Sequence, residues 1–131
     1  MRKQYHIRDS ERGLLAWDVD RLLRLTSGQE PVDLPLERIR ELNEAFWFSG
    51  DGDTPTCRRV AEHAKLINET SLDHPIIIDR EERVMDGMHR VSKALISGLT
   101  IKAVKLLAMP EPDFVGVSID QLPCSRPSPP R

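Results

Sequence analysis

A chain of 131 residues with 39% hydrophobic and 31% charged side chains has the balance of a globular domain large enough to bury a core. No apolar run approaches the roughly 20 residues that a bilayer-spanning helix needs, so no membrane partner is expected. The formal net charge of −2 argues against a domain whose main task is gripping duplex DNA, because neutralising phosphates dominates such binding.

The N-terminal Met1-Arg2-Lys3-Gln4-Tyr5-His6 is basic but has no apolar stretch behind it, so a secretory signal is not expected. Cys57 and Cys124 lie far apart with no metal-ligand spacing, and a reducing cytoplasm is the simplest setting. Gln4 to Ile7 reads as a short edge strand ending in the polar cluster from Arg8 to Gly13. From Asp18 to Thr26 the pattern is helical, with Leu15, Val19, Leu22 and Leu25 or Thr26 recurring at three- and four-residue steps. Ser27-Gly28 stops that helix. Val32 to Leu36 alternates like a strand, and Pro35 places it at an edge or a strand end. Ile39 to Phe48 reads as a short helix or an irregular segment. Its Phe46-Trp47-Phe48 is the densest aromatic cluster in the chain, fit either for core packing or for stacking on a base.

Ser49 to Asp53 is a loop. Thr54-Pro55 then supplies an N-cap and a proline at the first helical position. The following helix, over 55–70, places Cys57, Val60, Ala61, Ala64 and Ile67 on an apolar stripe with Arg58, Arg59, Glu62, Lys65 and Glu69 outside. Cys57 is thereby expected to be a packed thiol, and His63 to sit at the flank as a surface residue. Ile76-Ile77-Ile78 suits a buried strand, and residues 79–82 turn the chain into Arg83-Val84-Met85. Met88 to Ser97 is a helix ended by Gly98, and Thr100 to Leu107 is a further strand. Met85 and Met88 are expected to pack, while Lys102 and Lys105 take the wet face. Pro110 to Pro123 reads as extended, pinned by Phe114, Val115 and Leu122. Residues 124–131, with Pro127, Pro129 and Pro130, form a loose tail.

The chemistry concentrates in Asp86-Gly87-Met88-His89-Arg90. A strand runs into Asp-Gly and a helix opens at once with His and Arg in its first turn. The first N–H groups of a helix lack intrahelical partners and its dipole makes that end positive, so a phosphate suits the place. Arg90 can fork two oxygens, and Asp86 and His89 can move a proton, or Asp86 can hold a metal ion. Thr56 and Arg58, at the start of the preceding helix, complete such a pocket if that end faces the Gly87 turn. Otherwise they are a capped helix start and a solvated arginine.

The order strand, hairpin, strand, Asp-Gly turn, helix, strand over 75–107 resembles the ParB/sulfiredoxin-like superfamily. ParB N-terminal domains carry Gly-Glu-Arg-Arg at this place, sulfiredoxins Gly-Cys-His-Arg, and the free-serine kinases Asp-Gly-x-His-Arg, the nearest match to residues 86–90. Val32 to Arg40 resembles that fold's first strand and turn, and the helix leading to Pro75-Ile76 its next helix. The resemblance spans roughly residues 31–107. It implies an α+β fold, a small mixed sheet with packed helices, and the length of the chain fits one domain, read over 1–123. In that domain residues 1–30 form an extension and 108–123 close the sheet edge.

The resemblance also implies a nucleotide-phosphate site in which Gly87, Met88 and Arg90 hold phosphate. ATP or another nucleotide with Mg²⁺ on Asp86 would be the cofactors, a small phosphorylated ligand the partner, and phosphoryl transfer the reaction. Glu37, with Glu41 and Glu44 as alternatives, falls near the acidic base of the kinases. Met88 stands where sulfiredoxins need cysteine, which argues against sulfinic-acid repair. Partition activity, which uses a downstream helix-turn-helix and a dimerisation domain, is not expected of these 131 residues. Two other readings stay open: a non-catalytic nucleotide-sensing or protein-interaction module, and a nucleic-acid-binding ParB-like nuclease.

Overall fold

The computed structural model describes residues 4–50 and 52–123. The protein is α+β, with three α-helices and two small sheets among the described residues. It divides into two compact units, one formed by Gln29–Leu107 and the other by the described residues before and after that span. The tail over 124–131 and Cys124 lie outside the described residues.

In the discontinuous unit, β1 (Tyr5–Ser10) and β2 (Gly13–Asp18) form an antiparallel hairpin in which Ser10 pairs with Gly13. The polar cluster after Ile7 is therefore the tip of a hairpin, and Leu15 belongs to a strand instead of a helical stripe. α1 (Val19–Thr26) starts only where the Asp18 carboxylate accepts the Asp20 N–H at 2.9 Å. It buries Val19, Leu22 and Thr26. β7 (Phe114–Val115) pairs antiparallel with β2, so the segment after residue 107 does not close the edge of the main sheet. It belongs to a second, three-stranded sheet, ordered β1-β2-β7. Leu122 is buried as expected, but Val115 is exposed.

The unit spanning Gln29–Leu107 is built on four strands, β3 (Val32–Leu34), β4 (Ile76–Ile78), β5 (Val84–Asp86) and β6 (Ile101–Lys105), ordered β3-β6-β4-β5. β3 sits at an edge, where Pro35 costs no ladder bond. β4 is buried at all three isoleucines and lies parallel to β6, a hydrophobic run on a strand covered on both faces. Between β5 and β6 the chain crosses over through α3 (Met88–Ser97), which ends at Gly98 in the left-handed conformation. The core gathers Leu34, Ile39, Ile76, Ile78, Val84, Met88, Val91, Ala94, Ile101 and Ala103. Phe46 and Trp47 pack against it, and Met85 and Met88 are buried as expected. Residues 36–48 are two short 3₁₀ turns and an irregular aromatic segment.

α2 (Cys57–Glu69) departs most from expectation. Its cap is Thr56, whose hydroxyl accepts the Arg59 N–H at 3.2 Å, so Thr54 and Pro55 lie before the helix. No residue of α2 is fully buried. The half-buried side chains are Arg59, His63 and Ile67, whereas Cys57, Val60, Ala61 and Ala64 are exposed. The face turned to the protein is set by aromatic, polar and ionic contacts, which a search for apolar periodicity does not register.

Candidate functional site

The Asp86–Arg90 turn is formed by local necessity. β5 ends at Asp86, and Gly87 takes φ +108°, ψ 23°, a left-handed conformation that side-chain-bearing residues rarely adopt. No side chain caps α3. The Gly87 carbonyl accepts the Val91 N–H at 3.0 Å, which closes the first turn. The Met88, His89 and Arg90 amides make no hydrogen bond among the described residues. Those donors, at the positive end of the helix dipole, are what an anion takes.

Arg90 folds back over this turn. Its Nη2 donates to Asp86 Oδ2 at 2.8 Å and its Nη1 to the His74 carbonyl at 3.3 Å. Both partners of the ion pair are largely buried, at 13% and 16% side-chain exposure. The guanidinium lies so close to Gly87 that a Cβ there would stand 2.8 Å from Nη2 and 2.6 Å from Ile76 Cγ2. Arg90 is thus positioned beside the free amides, and Asp86 serves first as its anchor.

His89 meets a residue the sequence did not connect with it. α2 packs against α3, and His63 Nδ1 lies 2.9 Å from His89 Nε2. Trp47 stacks on both rings, with centroids 4.4 Å from His63 and 4.6 Å from His89 at interplanar angles of 19° and 14°. Phe48 meets His63 edge-on at 5.4 Å, and the Arg59 guanidinium sits over Phe48 while pairing with Asp53 at 3.1 Å. Trp47 therefore both packs against the core and clamps two imidazoles. The only sequence sign of this was the proximity of His89 to the turn. His63 had none, because its partners lie 16 and 26 positions away.

Both imidazoles are held below the ordinary histidine value. For His63 the cause is burial, then the nearby Arg59 charge, opposed by Glu62. For His89 it is burial, then His63. Such rings bind protons more readily in the unfolded chain. Their contribution to stability is therefore present above the unfolded value of about 6.5 and is lost as pH falls through the lower native values. The urea midpoint is expected to decrease between pH 7 and pH 5. A His63→Gln/His89→Gln double variant should show a shallower decline in that window. An equal slope in both proteins would mean the rings do not titrate this way.

Of the other expected residues, Met88 is buried beneath the turn and contributes its amide alone. Thr56 spends its hydroxyl on capping α2, and Arg58 is exposed without a hydrogen bond or ion pair among the described residues. Glu37 stands exposed on the first 3₁₀ turn, and no hydrogen bond or ion pair brings it to the Gly87 turn. Glu41 and Glu44 are both bound to Arg83. Glu44 takes a two-pronged hydrogen bond at 2.7 and 2.8 Å, which holds its carboxyl below the usual range. Glu41 Oε2 accepts the Val84 N–H at 2.7 Å and lies 3.4 Å from Arg83 Nε.

Among the described residues no group of three or more His, Cys, Asp or Glu converges to hold a metal ion. Mg²⁺ commonly binds through one or two carboxylates plus substrate phosphates, and the turn itself supplies the Asp86 carboxylate, which is paired with Arg90. No helix among the described residues is long and apolar enough to cross a membrane. No family model, curated protein or solved structure matches the chain.

Proposed function

We propose that the protein binds a phosphorylated small molecule or nucleotide at the start of α3. The observation that carries this reading is the set of unclaimed Met88, His89 and Arg90 amides at a glycine cap, with the Arg90 guanidinium and the His89 ring in the same turn. Amides and guanidinium supply hydrogen bonds to phosphate oxygens, charge-assisted in the case of Arg90. His89 stands in the same turn with its Nε2 against His63, where its ring can orient or protonate a bound phosphate. The resemblance to the ParB/sulfiredoxin-like superfamily supports the same placement of phosphate.

A second reading, binding without turnover, is favoured by the carboxylates. Asp86 is held by Arg90, and Glu41 and Glu44 by Arg83, so none of these acids stands free as a base. In that reading the occupied turn signals to a partner instead of reacting.

Thermal-shift and calorimetric titrations with pyrophosphate, ATP, ADP and CTP, with and without Mg²⁺, test the reading. A ligand at a hundredfold excess over its Kd stabilises the native state by about 2.7 kcal/mol. Arg90→Ala is expected to weaken binding about tenfold or more while circular dichroism still reports the fold, in line with the loss of a charge-assisted hydrogen bond. Absence of binding by all four compounds would sink the phosphate reading. Binding with ligand consumption would separate the enzyme from the sensor.

A further inference from the structure

We infer that His63 is a positioning residue of this anion site, sharing one proton with His89 so that phosphate capture at the α3 start takes up one proton. The inference rests on the phosphate reading above and adds the group that sets its protonation. The geometry is a 2.9 Å contact between His63 Nδ1 and His89 Nε2, with Trp47 stacked on both rings. A contact of that length between ring nitrogens holds a single proton.

The neutral pair carries two protons on four nitrogens, one between the rings and one on an outer nitrogen, either His89 Nδ1 or His63 Nε2. Uptake of one proton from solvent places N–H on both outer nitrogens and keeps the inner bond. A second would set two N–H groups against each other across 2.9 Å and break that bond. The pair therefore behaves as one site for one proton. The outer nitrogens of both rings make no hydrogen bond among the described residues.

Burial favours leaving the free pair neutral, and the charges around it are largely compensated. Arg59 and Glu62 flank His63 from its own helix, and Asp53 answers Arg59 at 3.1 Å. On the α3 side the Asp86–Arg90 pair is internally compensated, and Lys93 donates to the Asn68 and Thr70 carbonyls. Trp47 and Phe48 bring no charge. An anion at the first turn of α3 adds negative charge in the turn that carries His89, and the protonated pair then carries N–H on His89 Nδ1, the ring nitrogen not engaged by His63. Capture and protonation are linked, and His63 takes part without touching the ligand.

Nitrogen-15 NMR of the imidazoles in the whole protein, with inorganic pyrophosphate as the probe at pH 7, tests this. Saturation is expected to move the signals of both His63 and His89 toward the protonated form together. Affinity for sulfate, whose charge is constant over the range, should fall about threefold or more from pH 6 to pH 8. In His63→Gln, His89 should titrate as an independent group. Pyrophosphate binding that moves His89 alone, or neither ring, would overturn the shared proton and leave the phosphate reading intact. No binding of pyrophosphate or sulfate to the wild type would overturn both.

Discussion

Gly87→Ala is expected to destabilise the protein by about 3 kcal/mol or more, read as a fall in the urea midpoint at constant slope. Two costs combine. Holding a non-glycine residue at φ +108° costs of order 1–3 kcal/mol. The added methyl would also stand 2.6 Å from Ile76 Cγ2 and 2.8 Å from Arg90 Nη2. Ile76 is fully buried on the central strand and cannot yield, while Arg90 can move only by leaving Asp86. Overpacking of a filled site adds roughly 1–3 kcal/mol. Gly98→Ala is the control, since Gly98 also has positive φ, at +65°, but nothing lies within 4 Å of an added Cβ. Its cost should be about 1 kcal/mol, the conformational part alone. Equal costs at the two glycines would mean that the close packing around Gly87 is not rigid.

Glu41→Ala should cost about 3 kcal/mol, again by urea unfolding. Glu41 is only 2% exposed, and its Oε2 satisfies the buried Val84 N–H at 2.7 Å while also facing Arg83. Truncation leaves that donor without a partner at the start of β5 and opens a void beside it. Glu41→Gln keeps an oxygen for Val84 and should lose clearly less. Glu44→Ala removes the other partner of Arg83, but at an exposed site, where an ion pair contributes little. If Gln proves as damaging as Ala, the charge facing Arg83 matters more than the bond to Val84. The same contact explains why Glu41 is a structural acid: it ties the 3₁₀ segment to the strand that ends in the Gly87 turn.

What the sequence by itself determined was local. Ile76–Ile78 suited a buried strand, Asp86-Gly87 a turn and Gly98 the end of α3, because each depends on φ/ψ limits and hydrophobic runs within a few residues. The α+β class was what the family resemblance over residues 31–107 implied, and Pro35 marked the segment of β3 as an edge or a strand end. Only the tertiary structure decided the pairings. β7 joins β2 across almost a hundred residues and makes a second sheet, a choice no local preference encodes.

The candidate site divides along the same line. Its anion-ready turn was legible because glycine, histidine and arginine are contiguous at a strand-to-helix junction. The commitment of Arg90 to Asp86 and His74 was not, nor was the burial of Glu41 or the union of His63 with His89 under Trp47. α2 offered an apolar stripe through Cys57, Val60, Ala61 and Ala64, yet it docks through Arg59, His63 and Ile67. The partners of Arg59 and His63 are the Trp47 and Phe48 rings, the Asp53 carboxylate and the His89 imidazole, and all of these lie outside α2.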